Sequence, residues 1–272
     1  MLITKDLYIG SGYPLLIIAG PCVMENERTI FQTAETLKDI CKQLRVGFVF
    51  KSSFDKANRS SVKSYRGPGI NEGLKIFQRL KKELRVPILT DIHEPWQAKV
   101  VAEVVDILQI PAFLCRQTDI ITQAAKTNKP INIKKGQFMA PDQMKPIVQK
   151  AFKYNNRSVI LTERGFSFGY HDLVVDFRSI KIMKDFGLPV IFDATHSVQS
   201  PGGIGESTGG NREFVAPLAR AAAAVGIDGL FFEVHPNPDN ALSDGPNMIV
   251  FEEFERILSD VVAIDSIIRN PA

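Results

Sequence analysis

Three cysteines in 272 residues, odd in number and widely spaced, do not make a disulfide framework; reduced thiols or a metal ligand suit Cys22, Cys41 and Cys115 better. An excess of one charge is also lacking. Lys and Arg total 33 against 30 Asp and Glu, and a dispersed net +3 gives no basis for nucleic acid or an anionic membrane as a partner. Any anion recognition must therefore be local. Long apolar runs are missing too: the run at 15–19 falls far short of the roughly 18 residues a membrane span requires, and the opening MLITKDLYIG lacks a signal peptide's apolar core. The expected protein is cytoplasmic, with no membrane and no nucleic-acid partner. No Gly-rich dinucleotide turn, Pro/Gly/Ser linker, low-complexity tract or strong internal repeat interrupts the chain, which leaves one domain over 1–272 as the simplest organisation.

What the chain has is alternation. With 44% hydrophobic and 23% charged residues it can bury a substantial core. Eight short apolar runs read as strands: LLIIAGPC (15–22), VGFVFKSS (46–53), PILTDIH (87–93), DILQIP (106–111), PINIKKG (130–136), SVILTERG (158–165), PVIFDATH (189–196) and GLFFEVHP (229–236). Between them, apolar residues recur three and four apart, clearest in ENERTIFQTAETLKDICKQL and GLKIFQRLKKEL, the spacing of amphipathic helices. Repeated strand–helix order implies a parallel sheet, and eight units in this length match a (β/α)8 TIM barrel better than a doubly wound open sheet. The first 14 residues read as a short hairpin capping the N-terminal end, the bottom, of the barrel.

In such a barrel the active site lies at the C-terminal ends of the strands, so the residues that end each apolar run decide the chemistry. In order, those ends carry Cys22; Lys51; Asp91 and His93; Gln109; Lys134; Glu163 and Arg164; Asp193 and His196; Glu233 and His235, whereas the strand beginnings are bland. Each alone could be a satisfied core group or a solvated charge. Together they predict a wet, charged pocket. Lys51, Lys56, Arg59, Lys134 and Arg164, with Arg116 on the loop after the fourth strand, would repel each other unless anions compensate them. They point to phosphate, Arg offering bidentate contacts and Lys a mobile point charge. Lys135 and the helix lysines Lys81 and Lys82 read instead as salt-bridged to nearby carboxylates. Cys22, His196, Glu233 and Asp244 become neighbours when the eighth strand closes on the first, and they form a donor set suited to a divalent transition metal. A cysteine serving only as a small buried apolar residue is the alternative, since no CxxC or HExxH motif is present. The glycine-rich stretch SVQSPGGIGESTGGNREF after His196 reads as a mobile loop that orders over substrate.

Taken together, IAGPC, FKSSFDKANRSS, TDIHE, QIPAFLCRQTD, KKGQF, LTERG, FDATHSVQ, PGG and ALSDG resemble the 3-deoxy-D-manno-octulosonate 8-phosphate synthase family through nearly the whole chain. The resemblance implies an aldol-type condensation of phosphoenolpyruvate with D-arabinose 5-phosphate and water, releasing phosphate, for lipopolysaccharide biosynthesis. It implies that Lys51, Lys56, Gln109, Ala112, Lys134 and Arg164 hold phosphoenolpyruvate. It implies further that Asn58, Arg59 and Ser60 take the sugar phosphate, with Arg116 reaching in from the adjacent subunit of a homotetramer. Lys56, His196 and Asp244 become the candidates for catalytic proton transfer. Similar enzymes divide into metal-dependent members with Cys after the first strand and metal-independent members with Asn. Cys22 puts this chain with the former, the implied ligands being Cys22, His196, Glu233 and Asp244 and the ion Zn2+, Fe2+ or Mn2+. Asp91 and His93 are then neighbours of these groups or contacts to the acceptor.

Two alternatives stand beside this one. A 3-deoxy-D-arabino-heptulosonate 7-phosphate synthase, acting on erythrose 4-phosphate, typically carries a KPRTS-like stretch where this chain has KANRSS, so the choice of acceptor rests on Ala57, Asn58 and Arg59. A phosphosugar-binding barrel without catalysis would show a missing ligand or lysine, and none is missing.

Overall fold

The computed structural model describes residues 1–59, 61–171, 173–204 and 207–269, and for 201–204 and 207–208 the backbone alone. The eight apolar runs form β1 (Leu16–Gly20), β2 (Gly47–Lys51), β3 (Ile88–Asp91), β4 (Ile107–Ile110), β5 (Ile131–Lys134), β6 (Val159–Glu163), β7 (Val190–Asp193) and β8 (Gly229–Glu233). They are parallel and pair in chain order, and β8 closes on β1 with Gly229 opposite Leu16 and Glu233 opposite Gly20. Outside them lie α1 (Glu27–Gln43), α2 (Ile70–Leu84), α3 (Gln97–Ala102), α4 (Thr118–Lys126), α5 (Met144–Phe152), α6 (Arg178–Lys184), α7 (Val215–Val225) and α8 (Phe251–Arg269). This is the (β/α)8 barrel expected from the strand–helix alternation. Among the described residues no helix is long and apolar enough to cross a membrane.

Side chains alternate across a strand, so β1 sends Leu16 and Ile18 into the barrel and turns Ile17 and Ala19 toward the helices. The interior is filled by Leu16, Ile18, Val49, Leu89, Ile107, Ile160, Ile191 and Phe231. Its bottom is shut, as expected, by the N-terminal hairpin of Leu2–Thr4 against Leu7–Tyr8, which seats Ile3 and the fully buried Ile9 in the same cluster. Burying one such side chain is worth about 1.5–3 kcal/mol. Two glycines permit the closure. A Cβ on Gly229 would sit 2.2 Å from the Leu16 carbonyl oxygen, and one on Gly20 would sit 2.0 Å from that of Lys51.

Each strand lies inside its apolar run but stops short of the run's C-terminal end. The ladder ends where polar side chains begin: Lys51, Asp91, Lys134, Glu163, Asp193 and Glu233 are the last residues of their strands. Local capping trims a helix in the same way. Asn26 accepts a hydrogen bond from the Thr29 amide at 2.9 Å, so α1 starts at Glu27 and the helical spacing before it stays outside. The glycine-rich stretch after β7, expected as a loop, instead forms a 3-10 turn (His196–Val198) and an antiparallel hairpin of Gln199–Ile204 with Ser207–Gly210. Residues 205 and 206 of this stretch lie outside the described residues.

Candidate active site

The C-terminal mouth of the barrel holds a cavity of about 410 Å³. Lys51, Lys56, Arg59, Lys134 and Arg164 all line it, so five cations scattered along the chain share one space. Asn58, Gln109, Ala112, His196 and Asp244 line it as well, and so do Asp91 and His93. Arg116 does not: it is exposed, and its carbonyl oxygen accepts from Lys150 Nζ at 2.7 Å. Ser60 lies outside the described residues. Two polar strand-end residues also face elsewhere. Glu163 pairs with Lys135 at 3.3 Å, the salt bridge expected for that lysine, and His235 Nε2 lies 3.4 Å from Glu25. Lys81 pairs with Asp106 at 2.8 Å, whereas Lys82 has no carboxylate within 4.0 Å among the described residues.

The three lysines of the cavity face carboxylates inside the barrel, Lys56 Nζ lying 3.9 Å from Glu233 Oε1. Lys51 Nζ donates to Glu233 Oε1 at 2.8 Å and to the Cys22 carbonyl oxygen at 3.1 Å. Lys134 Nζ donates to Asp193 Oδ2 at 2.5 Å, and the same oxygen lies 2.8 Å from His196 Nδ1. Burial would raise both carboxyls, but His196 and Lys134 around Asp193, and Lys51, His196 and Lys56 around Glu233, hold them well below the usual carboxylate range. Burial pulls Lys134 down, with Lys51 adding to the effect and Asp193 opposing it. Lys56 goes the other way: burial opposes its charge, yet Cys22, Glu233, Asp91 and Asp244 push it up.

Arg164 differs from the lysines. It is 3% exposed and has no carboxylate within 4.0 Å among the described residues. Its Nη2 donates to Gln199 Oε1 at 2.5 Å, and its Nη1 is buried with no partner there. Leaving such an ion desolvated and unpaired costs several kcal/mol, and the guanidinium fork matches phosphate or carboxylate oxygens. An anion is the partner this geometry asks for.

Beside the cations lies a cluster of opposite character. Cys22 Sγ and carboxylate oxygens of Glu233 and Asp244 lie within 4.8 Å of one another. His196 Nε2 is 3.4 Å from Glu233 Oε1 and 3.8 Å from Asp244 Oδ2. Strand ends bring Cys22, His196 and Glu233 together, while Asp244 comes from the loop after β8, held in a left-handed turn at φ 51°. Burial, then the charges of Asp244 and Glu233, push the Cys22 thiol up. Glu233 Oε2 is buried without a hydrogen-bond partner. A divalent cation would answer both features, taking the orphan oxygen and favouring the thiolate, so the donors fit a mixed sulfur, nitrogen and oxygen site.

Ser53, Gln137 and Gln199 also line the cavity but carry no charge to single them out. Ser53 Oγ donates to Asp91 Oδ1 at 2.5 Å, and Asp91 Oδ2 lies 2.8 Å from His93 Nε2. Gln199 Nε2 donates to Asp244 Oδ2 at 3.2 Å. Their only sequence signal was membership of FKSS, KKGQF and FDATHSVQ.

Over residues 1–269 the chain matches the DAHP synthetase I family. It is 56% identical to a protein of Cyanothece sp., 55% to one of Desulfatibacillum aliphaticivorans and 54% to one of Geobacter sulfurreducens, each match covering 96% of both chains. All three are named 2-dehydro-3-deoxyphosphooctonate aldolase. Identity this high over nearly all of both chains leaves no room for a different ancestry: the chain belongs to the DAHP synthetase I family.

Proposed function

We infer that the chain condenses phosphoenolpyruvate with D-arabinose 5-phosphate and water to give 3-deoxy-D-manno-octulosonate 8-phosphate and inorganic phosphate. Carbon arithmetic favours this acceptor. The relatives are named for an octonate, the eight carbons that a three-carbon donor and a pentose supply, whereas erythrose 4-phosphate would give seven. The observation that carries the reading is Arg164, a buried guanidinium with open donors in a cavity shared with four other cations.

In this reading Lys134 and Arg164, with Gln109 and Ala112, hold the donor phosphate, and Lys51 and Lys56 hold its carboxylate and reacting oxygens. Asn58, Arg59 and Ser60 take the sugar phosphate. The enol carbon bonds to the aldehyde carbon, the oxygen of water bonds to C2, and the C2–O bond to phosphate breaks. Fixed cations offset the repulsion between two polyanions and supply the ordering that water would not. Lys56, His196 and Asp244 are assigned the proton transfers. A divalent ion held by Cys22, His196, Glu233 and Asp244 would supply Lewis-acid polarisation, and Zn2+, Fe2+ and Mn2+ all suit those donors.

One domain carries all of these groups. Arg116, exposed on its own chain, is assigned to the cavity of a neighbouring subunit in a homotetramer. The free, buried thiols of Cys22, Cys41 and Cys115 favour a reducing cytoplasm. Phosphate release by metal-stripped protein, with single ions added back and each aldose phosphate offered in turn, tests the reading. Turnover of arabinose 5-phosphate on ion addition is expected. Preference for erythrose 4-phosphate would overturn the acceptor, and turnover of neither would overturn the enzyme.

A further inference from the structure

Arg164 and Asp244 bear opposite charges at one cavity, yet they form no ion pair; a single neutral side chain stands between them. Gln199 Oε1 accepts from Arg164 Nη2 at 2.5 Å while Gln199 Nε2 donates to Asp244 Oδ2 at 3.2 Å. We propose that Gln199 is a positioning residue that keeps Arg164 and Asp244 apart, leaving the arginine open to the donor's phosphoryl group and the aspartate open to a divalent cation. This rests on the assignment of Arg164 as a phosphate contact.

A primary amide suits the task because its two ends differ. The carbonyl oxygen accepts from the cation and the N–H donates to the carboxylate, whereas Glu would bind Arg164 and repel Asp244, and Leu would hold neither. The alternative pairing is close at hand. The carboxylates whose charge reaches Arg164 are Asp193, Glu163 and Asp244. Asp193 already holds Lys134, and Glu163 holds Lys135. Asp244 has no lysine or arginine within 4.0 Å among the described residues, only His196 at 3.8 Å. Freed of the amide, the arginine and the aspartate would close into a charge-assisted pair, and such a pair, both members tethered to the cavity wall, competes with a diffusing ligand.

The backbone holds Gln199 in register for this role. Gln199 pairs with Gly210, and the Asn211 amide donates to the Val198 carbonyl oxygen at 3.1 Å. Asn247 packs against Gly210 so closely that a Cβ there would lie 1.4 Å from Asn247 Oδ1. The residue facing Gln199 on the hairpin is thereby clamped, and the amide is presented from a braced strand.

Isothermal titration of metal-free protein with inorganic phosphate tests the proposal, and Zn2+ titration of the same variants supplies a second reading. Gln199→Leu should weaken phosphate at least about tenfold and weaken Zn2+ with it. Gln199→Glu, of nearly the same shape, should lose phosphate as well, which guards against a Leu variant that merely misfolds. The decisive variant is Gln199→Leu combined with Asp244→Asn: with the attracting charge removed, phosphate affinity should return to within about threefold of Asp244→Asn alone. Unchanged phosphate affinity in Gln199→Leu, or a double variant as weak as Gln199→Leu, would overturn the proposal. Wild-type protein that bound no phosphate would overturn the donor-site assignment and the spacer together. That outcome is distinguishable from a Gln199 failure in a cavity that does bind it.

Discussion

Lys135 Nζ and Glu163 Oε1 lie 3.3 Å apart with neither side chain exposed, and each residue is the chain neighbour of a cation in the cavity, Lys134 and Arg164. Glu163 Oε1 also accepts from the backbone amides of Arg164 at 2.9 Å and Gly165 at 2.6 Å, and Lys135 Nζ donates to the Gly165 carbonyl oxygen at 3.2 Å. The pair therefore ties the end of β5 to the end of β6. Lys135→Met should cost about 3–5 kcal/mol, because it strands a buried carboxyl, while Lys135→Met with Glu163→Gln should recover most of that. Urea unfolding of the two variants checks it; equal losses would show that the charge pairing is not the cause.

Arg164→Ala should raise the KM for phosphoenolpyruvate by about 10- to 100-fold, the loss of a charge-assisted contact worth about 1.5–3 kcal/mol. The KM for the aldose phosphate should move much less. Arg59→Ala should show the reverse. Steady-state kinetics with each substrate varied separately decides whether the two halves of the cavity are assigned the right way round.

Cys22→Asn should weaken binding of divalent ions by at least about 10- to 100-fold, the loss that removing even an outer partner of a ligand causes. Phosphate affinity should stay near the wild-type value, since Lys51, Lys134 and Arg164 are untouched. Chelator competition followed by metal analysis gives the first quantity and calorimetry the second. Unchanged ion affinity would take Cys22 out of the ligand set.

Asp91 gives the molecule an acid limit. Burial would raise its pKa, but the hydrogen bond and charge of His93 and the charges of Lys56 and Lys51 hold it well below the usual carboxylate range. A carboxyl depressed in the folded state stabilises the protein above its unfolded pKa of about 3.9, and that stability is lost as pH falls further, because the unfolded chain takes up the proton first. This one group should therefore cost the wild type up to about 1.4 kcal/mol per pH unit below about pH 4. Asp91→Asn should show a shallower acid limb. Urea midpoints measured between about pH 5 and pH 3 test the slope, and parallel curves would exclude Asp91 as a source of the acid sensitivity.

The sequence by itself determined the barrel, because the signals for it are local. Each apolar run forms a strand through its own side chains, each intervening helix shows its buried face as a three-and-four spacing, and the polar residues that end the strands mark which end opens to water. Five of the six cations and the Cys22 cluster were legible for the same reason: once strands are placed, the C-terminal ends of a closed ring must meet, whereas Arg116, out on the loop after β4, does not line the cavity of its own chain. Strand-end position misled for Glu163 and His235, which are as polar as their neighbours but pair with Lys135 and Glu25 outside the cavity. Only the tertiary structure decided which way those side chains point. It alone also set the neutral Gln199 between Arg164 and Asp244, residues 35 and 45 positions away in the chain. The physical reason is that an amide has no charge to announce itself. Its role comes from the charges that ring closure, driven by burial of the apolar core, places on either side of it.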